Sequence, residues 1–373
     1  MALEAVAKMT MGQSPRGSSY NEDGVGMPLI RGNADIEARR TKQRLWTTQP
    51  TKKCRAGDII ITVRAPVGHT AVASSSSCLG RGVCSLAAGS DNRFLFHALV
   101  HTEREWAVYE QGSTFTAVNS DEIRRFAIPW PPEPFQRCEI ALALDHADDL
   151  VDALDRLIIK KQAMKQGLGE HIFAGQMRLS GFSGEWSDVA LGDVATVEMG
   201  QSPPGSTYNQ SDGLPLIQGN ADIQDRSATG RVRTTQPIKI CAPGDVILTV
   251  RAPVGFAAYA PHSACLGRGV CSLNAQDDNR FLFHSLVFAE RDWAIYEQGS
   301  TFASVNSTEI RSFRLGWPAD EDERASIARL LDAADEEIRV LKQRRAKAVG
   351  IKKGMMQELL SGRTCLPVAK AAA

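Results

Sequence analysis

The chain has 373 residues, 43% hydrophobic and 23% charged, which suits two or three globular domains at roughly 100–200 residues each. Its 43 Lys and Arg balance 43 Asp and Glu, so the chain has no global basic signature for nucleic acid, and such a role must come from local clusters or a partner. No apolar run approaches the ~20 residues of a membrane helix, and "MALEAVAKMTMGQ" at the start lacks the pattern of a secretory signal, so a cytoplasmic location without membrane is expected.

Taken in chain order, the first segments are "MGQSPRGSSYN" from Met11, "PLIRGNADI" from Pro28 and "GDIIITVRAPVG" from Gly57. The last contains a short β-branched run closed by Arg, Ala-Pro and Gly, which reads as a buried strand running into a turn. "CLGRGVCSL" follows at Cys78, then "DNRFLFHALV" at Asp91, "YEQGSTF" at Tyr109 and "VNSDEIRRF" at Val118. The proline-rich "IPWPPEPF" at Ile128 rules out a helix continuing through it. Beyond it Ile140, Leu144, Ala147, Val151, Leu154 and Ile158 step by four and three, the seam of a coiled coil.

Every one of these segments then returns. "MGQSPPGSTYN" starts at Met199, "PLIQGNADI" at Pro215, "GDVILTVRAPVG" at Gly244, "CLGRGVCSL" at Cys265, "DNRFLFHSLV" at Asp278, "YEQGSTF" at Tyr296 and "VNSTEIRSF" at Val305. "LGWPADED" at Leu315 precedes a second seam at Ile327, Leu331, Ala334, Ile338 and Leu341. The order is globular unit, long helix, globular unit, long helix. The expected fold is α+β: two tandem-repeat α/β domains separated by two long helices in an antiparallel coiled coil, related by a pseudo-two-fold axis. The expected boundaries are 1–134 for the first domain, 135–167 for its helix, 168–187 for a linker, 188–320 for the second domain, 321–361 for its helix and 362–373 for a tail. Helices of about 30 residues would be on the order of 45 Å long.

Six of the eight cysteines form repeated pairs, Cys54/Cys241, Cys78/Cys265 and Cys84/Cys271. None is in a C-x-x-C motif and no His stands at zinc-ligand spacing, so buried free thiols are expected and no metal site. No G-x-x-x-x-G-K-[ST] phosphate loop occurs, and the "GQS" segments lack the nucleophile-elbow pattern. His97 and His284, inside "RFLFH", read as core residues. No catalytic residue and no cofactor is assigned.

"KQGLGEHIFAGQMRLSGFSGEWSDVALGDVATV" (165–197) and "KKGMMQELLSGRTCL" (352–366), with "RGNADI", "GDIIITVRAPVG", "YEQGSTF" and "IPWPP" in order, resemble the DNA-specificity subunit of type I restriction-modification systems. The resemblance spans essentially the whole chain. It implies a non-catalytic subunit with two target-recognition domains that read double-stranded DNA. It further implies methyltransferase subunits docked on the helices as partners, and a motor-nuclease subunit that joins for restriction. The near-identity of the repeats departs from the family, whose two domains usually differ strongly. It points to a bipartite, nearly palindromic target, because duplex DNA carries two-fold symmetry of its own.

The candidate DNA contacts come in pairs. Arg81 and Arg268 sit between glycines that permit close backbone approach, and arginine can fork onto phosphate or guanine; a tight turn with a solvated arginine is the alternative. Arg64 and Arg251 end a strand, with a structural ion pair to a carboxylate such as Asp58 as the alternative. Gln111, Ser113 and Thr114, with Gln298, Ser300 and Thr301, offer an amide and hydroxyls on a loop, or a turn or cap. Gln13, Ser14 and Asn33, with Gln201, Ser202 and Asn220, are polar positions between apolar runs. The repeats differ at Arg31/Gln218, Trp46/Arg233 and His69/Phe256, where half-site differences could arise. Lys160, Lys161, Lys165, Lys342, Arg344, Arg345, Lys347, Lys352 and Lys353 make the later helix halves basic, as a solvated face, a docking surface or a phosphate track. A stand-alone tandem enzyme on nucleotides or sugars and a non-DNA coiled-coil scaffold are the rival functions.

Overall fold

The structure, a computed structural model, describes residues 1–110, 117–296 and 304–364. The chain divides into two compact units. The first comprises residues 1–155 and 343–373, and the second residues 156–342. The helices in chain order are α1 (Leu3–Val6), α2 (Asn92–His101), α3 (Ser120–Arg125), α4 (Pro134–Phe173), α5 (Leu191–Val194), α6 (Asn279–Phe288), α7 (Ser307–Ser312) and α8 (Glu321–Leu360).

In the first unit the strands are β1 (Lys8–Met11), β2 (Tyr20–Asn21), β3 (Met27–Ile30), β4 (Ile36–Glu37), β5 (Arg40–Thr41), β6 (Trp46–Thr47), β7 (Lys53–Cys54), β8 (Ile59–Thr62), β9 (Thr70–Val72), β10 (Ser77–Leu79) and β11 (Val83–Ala87). They form a six-stranded sheet in the order β1-β11-β8-β9-β5-β4 and a five-stranded sheet in the order β2-β6-β3-β10-β7. Neighbours are antiparallel except β5–β9 and β3–β10. Strand β8 explains the layering. Side chains alternate faces along a strand. Ile59 and Ile61 join the core under α2 with Cys84, Leu86 and Leu95, while Ile60 joins a second core with Ile30, Leu79 and Val83. A strand covered on both faces favours apolar side chains, hence the Ile run, and the buried Thr62 that ends it bonds its hydroxyl to the Pro66 carbonyl.

The second unit repeats both sheet orders. Its counterpart of β8, Val246–Thr249, again splits its side chains, Val246 and Leu248 to the helix-covered core and Ile247 to the other. One element is added: Trp186–Ala190 pairs antiparallel with Arg314–Pro318. The corresponding place in the first unit holds a single bridge, Ala2 to Ala127. In both units a buried tryptophan stacks on a phenylalanine, Trp106 on Phe126 (centroids 3.7 Å apart) and Trp293 on Phe313 (3.8 Å).

Each unit also holds the start of one long helix and the end of the other. In the first, Ile140 and Leu144 of α4 and Leu359 and Leu360 of α8 enter the same core. In the second, Ile327 and Leu331 of α8 meet Ile172 of α4. The pairing is antiparallel within each unit. Asp148 pairs with Lys352, and Asp155 with Arg345 at 2.5 Å; in the second unit Lys161 pairs with Glu337 (2.7 Å) and Lys165 with Asp335 (2.6 Å). These four cations belong to the basic group seen in the sequence. They are engaged by the partner helix.

Both long helices have 40 residues, not about 30. α4 opens with Pro134 in the first turn, where proline's missing N–H is harmless. It continues through Gly167 and Gly169, so 168–173, expected in the linker, are helical. The Phe288 ring lies against Gly169, where a Cβ would come within 2.0 Å of it. Packing of Leu168, Ile172 and Phe173 on the second core offsets the poor helix propensity of glycine. Gly175, at φ +69°, ends the helix. Among the described residues no helix is long and apolar enough to cross a membrane.

Candidate nucleic-acid interface

In the first unit three sequence-distant segments are brought together: Gly12–Ser14 after β1, Arg31–Asn33 after β3, and Gly80–Gly82 between β10 and β11. Backbone bonds lock them. Gly12 donates to the Val83 carbonyl (3.0 Å), Gln13 to that of Leu79 (2.8 Å) and Gly80 to that of Ile30 (2.7 Å). The backbones touch so closely that side chains are excluded. A Cβ on Gly12 would lie 2.0 Å from the Gly80 oxygen, and one on Gly82 2.1 Å from the Arg31 oxygen. This close approach, not an unusual φ, is what the glycines serve.

The second unit repeats the junction. A Cβ on Gly200 would lie 2.1 Å from the Gly267 oxygen, and one on Gly269 2.0 Å from the Gln218 oxygen. The serines tie the turn down. The Arg81 backbone N–H donates to Ser14 Oγ at 3.3 Å; Ser202 Oγ accepts from both the Arg268 backbone (3.2 Å) and its Nε (3.1 Å).

Arg64 and Arg251 join the same edge through the backbone. Val63 donates to the Gly82 carbonyl (2.9 Å) and accepts from Val118 (3.0 Å); Val250 stands likewise between Gly269 (2.9 Å) and Val305 (3.0 Å). Arg64 then bridges Ala117, and Arg251 bridges Ser304. Gln111, Ser113, Thr114, Gln298, Ser300 and Thr301 lie outside the described residues, which resume at those two bridges.

Arg64, Arg81, Arg251 and Arg268 are exposed. Among the described residues none pairs with a carboxylate. The anticipated alternative for Arg64 does not form, because Asp58 accepts from the Arg55 backbone at 2.8 Å. Four cations without counter-charge on loop edges suit an anionic ligand. Gln13, Gln201, Asn33 and Asn220 are exposed too. Asn33 differs from its twin: its Oδ1 is hydrogen-bonded to His69 Nδ1, where the second unit has Phe256. Burial and then Arg39 hold His69 below the ordinary histidine range, so it is neutral at pH 7.

Supporting residues escaped the sequence reading. Asp35 and Asp222, buried, accept from the Arg31 backbone (2.7 Å) and the Gln218 backbone (2.8 Å) and so set the bend before each asparagine. Arg39 forks onto Glu103 (2.6 and 2.7 Å), and Arg226 onto Glu290. Asn119 and Asn306 close capping boxes with Glu122 and Glu309. That signal was present as N-x-x-E in both repeats.

His97 and His284 are fully buried and reach Asp145 (2.7 Å) and Asp332 (2.9 Å) on the long helices. Burial lowers both imidazole pKa values, so these are packing residues joining domain to helix. Burial pushes the Cys54 and Cys241 thiols up to about 11, and those of Cys84 and Cys271 to about 12, which makes them unreactive as thiolates. Among the described residues no cluster of three metal-ligating side chains occurs.

Comparison with known proteins bears on this geometry. The model of the type I restriction modification DNA specificity domain matches residues 1–161 and again 183–348. The chain is similar to the putative type I restriction enzyme MjaX specificity subunit of Methanocaldococcus jannaschii, with 29% identity over 263 residues, 66% of this chain and 61% of that one. It is also similar to that organism's type I restriction enzyme MjaIX specificity subunit, 24% identical over 51% of this chain and 46% of the other. The matched region thus spans about three-fifths and about half of those relatives. A chain from a solved type I restriction-modification system, studied for its assembly and conformational transition, is similar over 96% of both chains, with a TM-score of 0.62 and 25% identity. The type I S subunit from M. genitalium shares the fold over 96% and 95%, with a TM-score of 0.68 at 12% identity.

Proposed function

Because the chain belongs to the type I restriction-modification DNA specificity family, we propose that it is the sequence-reading subunit of a DNA-modifying complex, without chemistry of its own. The domains at 1–134 and 188–320 each bind one half of a bipartite site in double-stranded DNA. The long helices hold methyltransferase subunits that modify adenine, and a motor-nuclease subunit joins for restriction. The cytoplasm, where such DNA lies, is the place of action.

The observation that carries this reading is the twin junction of three glycine-bearing loops. Each presents an arginine without a carboxylate partner among the described residues, Arg81 or Arg268, held through Ser14 or Ser202, with Arg64 or Arg251 on the adjoining strand end. Backbone-anchored arginines with no counter-ion among the described residues suit phosphates and guanines, and the neighbouring Gln13, Gln201, Asn33 and Asn220 suit base edges. Near-identical junctions favour near-identical half-sites in inverted sense.

The test is affinity for the methylated target as a function of salt. Arg81→Ala with Arg268→Ala should weaken binding and flatten the dependence of log K on log salt by about 0.9 for each phosphate no longer neutralised. An unchanged slope would show that neither arginine touches a phosphate.

A further inference from the structure

The first unit holds a crevice of about 520 Å³ between its sheet and the start of α4. Val72 of β9, Phe96 and Arg93 of α2, and Asp145, Asp149 and Asp152 of α4 are among its walls. Every wall residue has a counterpart in the second repeat, and there the space has an occupant. The counterpart of Val72 is Tyr259. Its ring packs on Phe283 with centroids 4.1 Å apart, lies 4.8 Å from the Arg280 guanidinium and donates its hydroxyl to the Asn279 carbonyl at 3.4 Å. Phe283 is buried as a result, whereas its twin Phe96 is partly exposed.

Charge follows the same pattern. Asp145 is taken by His97 and Arg93, and Asp148 by Lys352. Asp149 and Asp152, one turn apart and exposed, have no cationic partner among the described residues. In the second repeat these positions are Glu336 and Arg339, which neutralise each other at 2.6 and 2.5 Å. The second repeat thus supplies a ring and a cation from its own chain. The first supplies neither, having Val72 for the ring and Asp152 for the cation. Arg40, on the strand side of the crevice and unpaired among the described residues, is left as a donor for a phenol oxygen.

We propose that this crevice is a docking site for a partner protein that inserts a tyrosine-type side chain with a cationic group beside it. The inserted ring takes the place that Tyr259 fills internally, against Phe96 and Arg93, and the cation meets Asp149 and Asp152. The crevice itself is independent of DNA recognition; it gives the two repeats different partner surfaces while leaving their reading edges alike.

Three small probes separate ring from charge in the full-length chain: tyramine, p-cresol and 4-hydroxyphenylacetate, followed by saturation-transfer NMR. Tyramine should bind several-fold more tightly than p-cresol, and 4-hydroxyphenylacetate most weakly. Val72→Tyr, which copies the second repeat, should weaken binding of all three by at least tenfold, and Val72→Leu should reduce it partway should the tyrosine variant not fold. Asp149→Asn with Asp152→Asn should erase the preference for tyramine over p-cresol and keep p-cresol binding. Equal binding by wild type and the filled variants would overturn the site. Tighter binding of AMP than of tyramine would overturn a protein occupant in favour of a nucleotide. DNA affinity, measured on the same variants, should stay unchanged, so failure here leaves the DNA-reading proposal standing and failure there leaves this one.

Discussion

The two units are most alike where they touch themselves and least alike at their edges. Arg39–Glu103 recurs as Arg226–Glu290, His97–Asp145 as His284–Asp332, and Arg137–Asp91 as Arg324–Asp278. The close contacts of the junction glycines with carbonyl oxygens recur to within a tenth of an ångström. Differences at partly or fully exposed positions include His69 for Phe256, Val72 for Tyr259 and Asp152 for Arg339, and a paired strand, Trp186–Ala190, stands where the first unit has one bridge. His97, His284, Arg137 and Arg324 are buried, and an orphaned buried charge or a clashing Cβ costs several kcal/mol. A rim position bears no such penalty. The core varies as well, Ile59 for Val246 and Ile61 for Leu248, but these changes keep the position apolar.

The largest expected effect breaks the comparison one unit at a time. Arg137 and Arg324 are buried, pair with Asp91 and Asp278 at 2.8 Å and donate to the Pro131 and Pro318 carbonyls. Arg137→Ala should cost about 3 kcal/mol and lower hydrogen-exchange protection in the first unit alone, and Arg324→Ala in the second alone. Loss of protection spread over both units would mean that they do not unfold separately.

A smaller effect sharpens the comparison at the reading edge. His69→Phe gives the first junction the second's residue and frees the Asn33 amide oxygen. If Asn33 meets a base, the preferences of the two half-sites at that position should converge, by about 1 kcal/mol. Binding measured on substituted oligonucleotides checks this, and an unchanged preference would mean that Asn33 reads no base.

The smallest effect is shared by both units. His97 and His284 are held below their ordinary pKa by burial, so the unfolded chain binds protons that the folded one refuses. Their contribution is full above the unfolded value near 6.5 and is lost as pH falls toward the depressed folded values. Asp332, held low by His284 and Arg280 despite its burial, acts in the same sense in acid. Melting temperature should drop between pH 7.5 and 5.5. Replacing both histidines with glutamine should make that drop smaller, and an unchanged drop would assign it to other groups.

Much of this was legible in the letters, for identifiable reasons. The Ile run of β8 and its apolar twin announced strands because a strand with both faces covered favours a continuous apolar run. The long helices announced themselves by their seams. The end of the first did not, because Gly167 and Gly169 look like breakers until Phe288 is seen against Gly169. The basic cluster on the later helix halves looked like a free surface. Four of its members face Asp148, Asp155, Asp335 and Glu337, some 170 to 200 residues away along the chain, a distance no local pattern spans. Arg64, Arg81, Ser14 and Asn33 could be chosen by residue type, but their convergence depends on β3 pairing parallel with β10, which periodicity does not reveal.

The most direct test is to map methylated adenines in the genome of cells that express the chain with its methyltransferase partner. Two near-identical half-sites in inverted orientation, separated by bases that are not read, are expected from twin junctions. Two unrelated half-sites would contradict that equivalence, and methylation that is unchanged when the chain is deleted would contradict its role as the reader.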